Sequence, residues 1–136
     1  MFKLVKSENS RMTAPEVERI AIESFEYMNV FAGDAVERSP EGLWVKAQDY
    51  PKFIIALTAT EDEEYTYVYR VTPDMIFLTE FLDEKTTPYP GNVVDLETVM
   101  HYPSGVKPSE TGYGRIIEVT PDKKYVYVKF DRIGEV

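Results

Sequence analysis

The chain has 136 residues, 43% of them hydrophobic and 29% charged, which fits one globular domain able to bury about two thirds of its unfolded surface and excludes a disordered chain. Cysteine is absent, so disulfides, thiolate zinc sites and thiol nucleophiles are removed together. The net charge of -9 is uneven: residues 1–60 hold 7 basic and 9 acidic side chains, 61–97 hold 2 and 10, and 98–136 hold 6 and 5, so the middle third repels a phosphate backbone.

Met1 to Lys6 runs into polar residues before a signal-peptide core develops, and no stretch approaches the length needed to cross a bilayer. A cytoplasmic location is the default expectation. Thr13-Ala-Pro-Glu16 reads as a capping box with Pro15 in the first turn, opening a helix to about Met28. On a helical wheel Val17, Ile20, Ala21, Ser24, Phe25, Tyr27 and Met28 share one face, opposite Glu16, Glu18, Arg19, Glu23 and Glu26. That pattern describes a surface helix laid on a sheet, and its acidic outer face argues against a membrane surface.

Gly33 to Arg38, the turn Ser39-Pro-Glu-Gly42 and Leu43 to Ala47 form a first hairpin, with Trp44 as a core or rim aromatic. Lys52 to Thr60 is nearly unbroken in its apolar character and reads as a central strand. After the acidic turn Glu61-Asp-Glu-Glu64, Tyr65 to Val71 alternates, placing Tyr65, Tyr67 and Tyr69 on one face and Thr66, Val68 and Arg70 on the other. Thr72-Pro-Asp74 turns the chain into a strand from Met75 to Leu82.

Asp83 to Asn92 is a loop; Val93 to His101 fits a short helix or a strand; Tyr102 to Thr111 is a second loop rich in proline and glycine. The last part, Gly112 to Asp131, is a hairpin in which Val126, Val128 and Phe130 form the buried face, and Thr120-Pro-Asp-Lys-Lys124 makes the turn. Val71-Thr-Pro-Asp74 recurs as Val119-Thr-Pro-Asp122, which reads as repeated turn chemistry with a duplicated ribbon as the lesser reading.

These elements predict an α+β fold: one amphipathic helix packed on an antiparallel meander, with the C-terminal hairpin completing the sheet or a small barrel. Residues 1–136 are expected to form a single domain, with a possible subdivision into 1–85 and a ribbon annex at 103–136.

No catalytic set stands out. His101 is the lone histidine and has no metal-ligating companions, the Glu61–Glu64 turn lacks the ligand spacing of a calcium loop, and Gly112 and Gly114 lack the third glycine of a phosphate cradle. A non-enzymatic protein with no cofactor and no metal is therefore expected. The 10 tyrosines point instead to binding, since tyrosine suits a core rim or a protein-binding surface. Glu61, Asp62, Glu63, Glu64, Tyr65, Tyr67 and Tyr69 form the first candidate site, an acidic aromatic surface for a partner protein with a basic face. The second, for nucleic acid or a transcription complex, is Tyr113, Arg115, Lys123, Lys124, Tyr125, Tyr127 and Lys129.

Gly112-Tyr-Gly-Arg-Ile-Ile-Glu-Val119 followed by Tyr-Val-Tyr-Val-Lys-Phe-Asp131 resembles the ribbon of Tudor-like and KOW-like small β-barrels, over about residues 105–131. Gly33-Asp-Ala-Val36 with Gly42-Leu-Trp-Val-Lys46 looks like a weaker copy of the same opening. The resemblance implies docking of protein or nucleic acid on a barrel rim.

Overall fold

The computed structural model describes residues 1–7, 16–26, 29–60, 62–99 and 102–132. Among them are eleven strands and one short 3-10 turn: β1 (Lys3–Ser7), β2 (Glu18–Ala21), the turn Ile22–Ser24, β3 (Ala35–Arg38), β4 (Trp44–Lys46), β5 (Phe53–Ile55), β6 (Tyr65–Arg70), β7 (Met75–Phe81), β8 (Val93–Val99), β9 (Tyr102–Pro108), β10 (Gly114–Val119) and β11 (Tyr125–Lys129). The fold is all-β, which corrects the α+β expectation.

The helix expected over 13–28 is absent from its described part: Glu18–Ala21 is a strand and Ile22–Ser24 a 3-10 turn, while Thr13, Pro15, Tyr27 and Met28 lie outside the described residues. Ile20 and Ile22 are both buried, and their spacing of two suits a strand as well as the surrounding residues suit a helix. Three β-branched residues at 17, 20 and 22 favour the extended form. Tertiary demand decides between them, because β2 covers the outer edge of β6, with Arg19 opposite Tyr67 and Ile20 opposite Thr66.

Residues 93–99 form a strand, and the loop expected over 102–111 is a strand through Pro108. The prolines misled because they lie where the ladder tolerates them: Pro103 faces Thr98 at an irregularity and Pro108 is the last strand residue.

The strands form two rings of one design. In the first, the order is β2-β6-β5-β3-β4, and a parallel bridge between Phe25 and Trp44 joins the two ends. In the second, the order is β7-β11-β10-β8-β9, closed by parallel pairing of Glu80 with Gly105 and Phe81 with Val106. Counting strands from each ring's start, both read first-fifth-fourth-second-third, with the first and third parallel. Strand β1 adds to the free N-terminal half of β7.

The correspondence reaches single hydrogen bonds. Gly33 N donates to Ile55 O as Gly91 N does to Ile116 O, at 2.8 and 2.7 Å; Ala47 N donates to Ala35 O as Ser109 N does to Val93 O, both at 2.9 Å. Ile22 N donates to Glu64 O as Phe81 N does to Lys124 O, at 2.9 and 3.0 Å. Gly33 and Gly91 both carry positive φ, 96° and 92°. The matching sequences are Phe31-Ala-Gly-Asp-Ala-Val36 with Tyr89-Pro-Gly-Asn-Val-Val94, and Thr60-Glu-Asp-Glu-Glu-Tyr-Thr-Tyr-Val68 with Thr120-Pro-Asp-Lys-Lys-Tyr-Val-Tyr-Val128. The chain is thus a structural duplication, and its two units meet at the Thr72–Asp74 turn.

Each ring has a filled interior. Val36, Trp44, Ile55 and Val68 fill the first, and their counterparts Val94, Val106, Ile116 and Val128 fill the second. All eight are at most 1% exposed. The second core also extends across the junction: Ala35, Ile54 and Tyr69 on the outside of the first ring pack with Phe2, Met75 and Phe130. Phe2 lies edge-on to Phe77 and Phe130, with centroids 6.1 and 5.7 Å away, and Phe2 N donates to Gly33 O at 3.0 Å. Beside this core Tyr50 and Tyr113 meet across the junction at 4.8 Å. Burial, reinforced by the negative charge of Asp49, pushes the Asp95 carboxyl up.

On the second ring the positions matching Ile54 and Tyr69 are Arg115 and Lys129, and Arg115 is paired with Asp131 at 2.7 Å. The face that docks the first ring therefore carries two charged positions on the second.

The parallel seam needs glycine. A Cβ on Gly105 would lie 2.4 Å from Glu80 O, so the Gly105→Ala variant must part β7 from β9 and is expected to lose about 3 kcal/mol in urea denaturation. Gly91→Ala is the control: its Cβ meets nothing within 4 Å, leaving only the backbone cost of positive φ, about 1 kcal/mol. Equal losses for the two would contradict the seam's role.

Candidate functional site

The duplication brings the two sets of candidate residues into one frame. Asp62, Glu63, Glu64, Tyr65 and Tyr67 occupy the hairpin between the fourth and fifth strands of the first ring, and Lys123, Lys124, Tyr125 and Tyr127 occupy the same hairpin of the second. The two surfaces read separately from the sequence are one position used twice, with opposite charge at the tip.

In the first tip Glu63 N donates to Thr60 O at 3.1 Å and Glu64 O accepts from Ile22 N, which fixes the tip to the 3-10 turn that follows β2. Asp62, Glu63 and Glu64 are exposed, and among the described residues no lysine or arginine pairs with them. Glu61 lies outside the described residues. Behind the tip, Thr66 and Val68 point into the ring, and the Thr66 hydroxyl donates to Leu57 O at 2.5 Å. That alternation turns Tyr65 and Tyr67 outward, 43% and 37% exposed. The Arg19 guanidinium lies over the Tyr65 ring at 4.5 Å.

Tyr69 departs from the row. It points outward from the same strand but is only 7% exposed, because the second ring covers it. Burial pushes its phenol well above the usual tyrosine value, so it stays neutral. Tyr69 belongs to the junction and leaves the surface to Tyr65 and Tyr67.

The second tip has the same turn, with Lys123 N donating to Thr120 O at 2.9 Å. Its Asp122 carboxylate accepts from the Thr120 hydroxyl at 2.6 Å and from Lys124 N at 2.9 Å, and these bonds, the hydroxyl's first, hold the group below the usual carboxylate range. Lys123, Lys124 and Tyr125 face Asp83, Glu84 and Thr87 across a cleft of about 420 Å³.

The rest of the second candidate set is dispersed. Tyr113 packs on Tyr50, Arg115 holds Asp131 through two nitrogens, and Lys129 is 6% exposed. The tyrosines that remain are bordered by acids: Tyr125 lies opposite Glu80 and Tyr127 opposite Glu118. A phosphate chain following Lys123 and Lys124 would meet five carboxylates nearby, at residues 80, 83, 84, 118 and 122. The acidic third likewise does not converge on one face: Asp62, Glu63 and Glu64 lie on the first tip, Glu80, Asp83 and Glu84 on the wall of the second cleft, and Asp95 and Glu97 on β8.

His101 lies outside the described residues. Among the described residues no three His, Asp or Glu side chains gather as a metal site, and no helix is long and apolar enough to cross a membrane. Asp34, missed in the sequence, is fully buried and bonded to Lys46 at 2.9 Å. Its place in the repeated aromatic-x-Gly-Asp/Asn motif is the signal that marks it, and Asn92 is its counterpart. Comparison with protein-family models, curated proteins and solved structures gives no match. The C-terminal ribbon lies in a small barrel, but nothing identifies that barrel as Tudor-like or KOW-like.

The different burial of three tyrosines on one strand is directly measurable. Tyr69→Ala is expected to cost about 3–5 kcal/mol in urea denaturation, as for a large core truncation, whereas Tyr65→Ala and Tyr67→Ala should each stay within about 1 kcal/mol of the parent. A comparable loss at all three would place the whole row in the core.

Proposed function

We propose that this protein is a non-catalytic binding protein that engages a partner protein with a basic surface through Asp62, Glu63, Glu64, Tyr65 and Tyr67 of the first tip. In its concrete form the partner is a nucleic-acid enzyme whose basic cleft the tip occupies, as an inhibitor or immunity-type protein does. The observation that carries the reading is the pairing of two exposed tyrosines with carboxylates that the fold leaves without cation partners among the described residues. Carboxylates of this kind steer a cationic partner from a distance, and the tyrosines supply area once contact is made. The matching position on the second ring favours this over nucleic-acid binding, since its lysines stand among carboxylates.

A lysine-rich polypeptide and a single-stranded oligonucleotide separate the two readings by fluorescence anisotropy. The polypeptide should bind more weakly as salt rises, and the triple variant Asp62→Lys, Glu63→Lys, Glu64→Lys should weaken it by about tenfold or more. Lys123→Glu with Lys124→Glu should not weaken it. Oligonucleotide binding at low salt that the second pair of substitutions removes would replace this reading with the nucleic-acid one.

A further inference from the structure

Along the junction of the rings runs an open groove of about 560 Å³, formed by the start of the chain through β1 on one side and by Val17, Gly33, Ile55 and Ala56 on the other. Its size and its place between two units are those of a small-molecule site. Its polarity is more telling. In a chain of net charge -9, no carboxylate side chain lines this groove among the described residues, and the polar side chains there are Lys3 and Tyr69. Lys3 is exposed, and the Tyr69 hydroxyl makes no hydrogen bond among the described residues. Because burial keeps that phenol neutral, it can only donate to a ligand's oxygen or accept from a donor, and the positive charge of Lys3 on the same groove favours the former.

We propose that the groove binds a small amphipathic carboxylate, its alkyl or aryl body against Leu4, Val17 and Ala56 and its head group at Lys3 and the Tyr69 hydroxyl. Each part answers an observed feature. The apolar wall accounts for the body, the Lys3 ammonium for the charge, and the unused hydroxyl for an acceptor that enters the groove. The site spans β1 and the first ring, so a bound molecule contacts both together and tightens their contact. It is separate from the hairpin tip and stands or falls without it.

Calorimetric titration with sodium octanoate, octanol and octylamine tests the assignment. Octanoate should saturate at one molecule per chain, and octylamine, with the same body and the opposite charge, should bind about tenfold more weakly or less. Lys3→Glu and Tyr69→Phe should each weaken octanoate severalfold, the latter keeping the ring that the core requires. Ala56→Trp, at an exposed position, should fill the groove and abolish binding without lowering the thermal midpoint. No saturable heat with octanoate, equal affinity for octylamine, or undiminished binding to Ala56→Trp would each overturn the proposal.

Discussion

Closure of each ring between its first and third strands is the constraint on which the rest depends. A parallel contact at that point is what turns a short antiparallel sheet into a barrel with no exposed ladder to manage there. The two rings reach it differently. In the second, β7 is seven residues long and touches both its fifth and third strands, with Gly105 allowing the close approach. In the first, β2 is four residues long, and the 3-10 turn carries the chain across to Phe25 before the bridge to Trp44 forms. The segment that mimics a helix in sequence is the piece that completes this closure.

Once both rings are closed, the surfaces left over are set by what each must do next. The outside of the first ring is apolar at Ala35, Ile54 and Tyr69 and is consumed in docking. Two of the same positions on the second ring are the charged residues Arg115 and Lys129. The hairpin tips project from the closed rings and are under no packing demand, so they are free to diverge. One holds Asp62, Glu63 and Glu64, the other Lys123 and Lys124, on backbones held by the same Thr-to-third-residue hydrogen bond.

Much of this was legible where a pattern has one cause. Alternation of Val126, Val128 and Phe130 correctly marked a buried face, all three being 0% exposed, and the hairpins at 33–47 and 112–131 followed from their turn residues. The misreadings arose where two causes compete. Apolar spacing at Val17, Ile20 and Ala21 fits a helix until a strand is required beside β6. Proline and glycine at 103–108 suggested a loop because the close approach that needs Gly105 is invisible locally. Strand alternation placed Tyr69 correctly on the face of Tyr65 and Tyr67, but only the docked second ring explains its burial.

The duplication is present in the letters, but the most visible repeat lies out of its frame. Val71-Thr-Pro-Asp74 and Val119-Thr-Pro-Asp122 are alike, yet one links the two rings and the other is a hairpin tip within the second. The true partners, Thr60 with Thr120 and Gly33 with Gly91, are joined by equivalent hydrogen bonds and by shared positive φ at the glycines. The likeness between residues 33–46 and the Gly112 ribbon pairs different strands of the ring. Strand pairing fixes the frame because register is a property of neighbours, which a single strand's sequence does not contain.

The central functional claim is that the first tip, and not its twin, is the recognition surface. Backbone amide chemical-shift mapping of the labelled protein with a lysine-rich peptide tests it most directly, since both tips are observed in one experiment. The account predicts salt-sensitive shifts centred on Asp62 to Tyr67 and on Arg19, with Lys123 to Tyr127 unmoved. Shifts centred on Lys123 to Tyr127, or spread evenly over both tips, would contradict it.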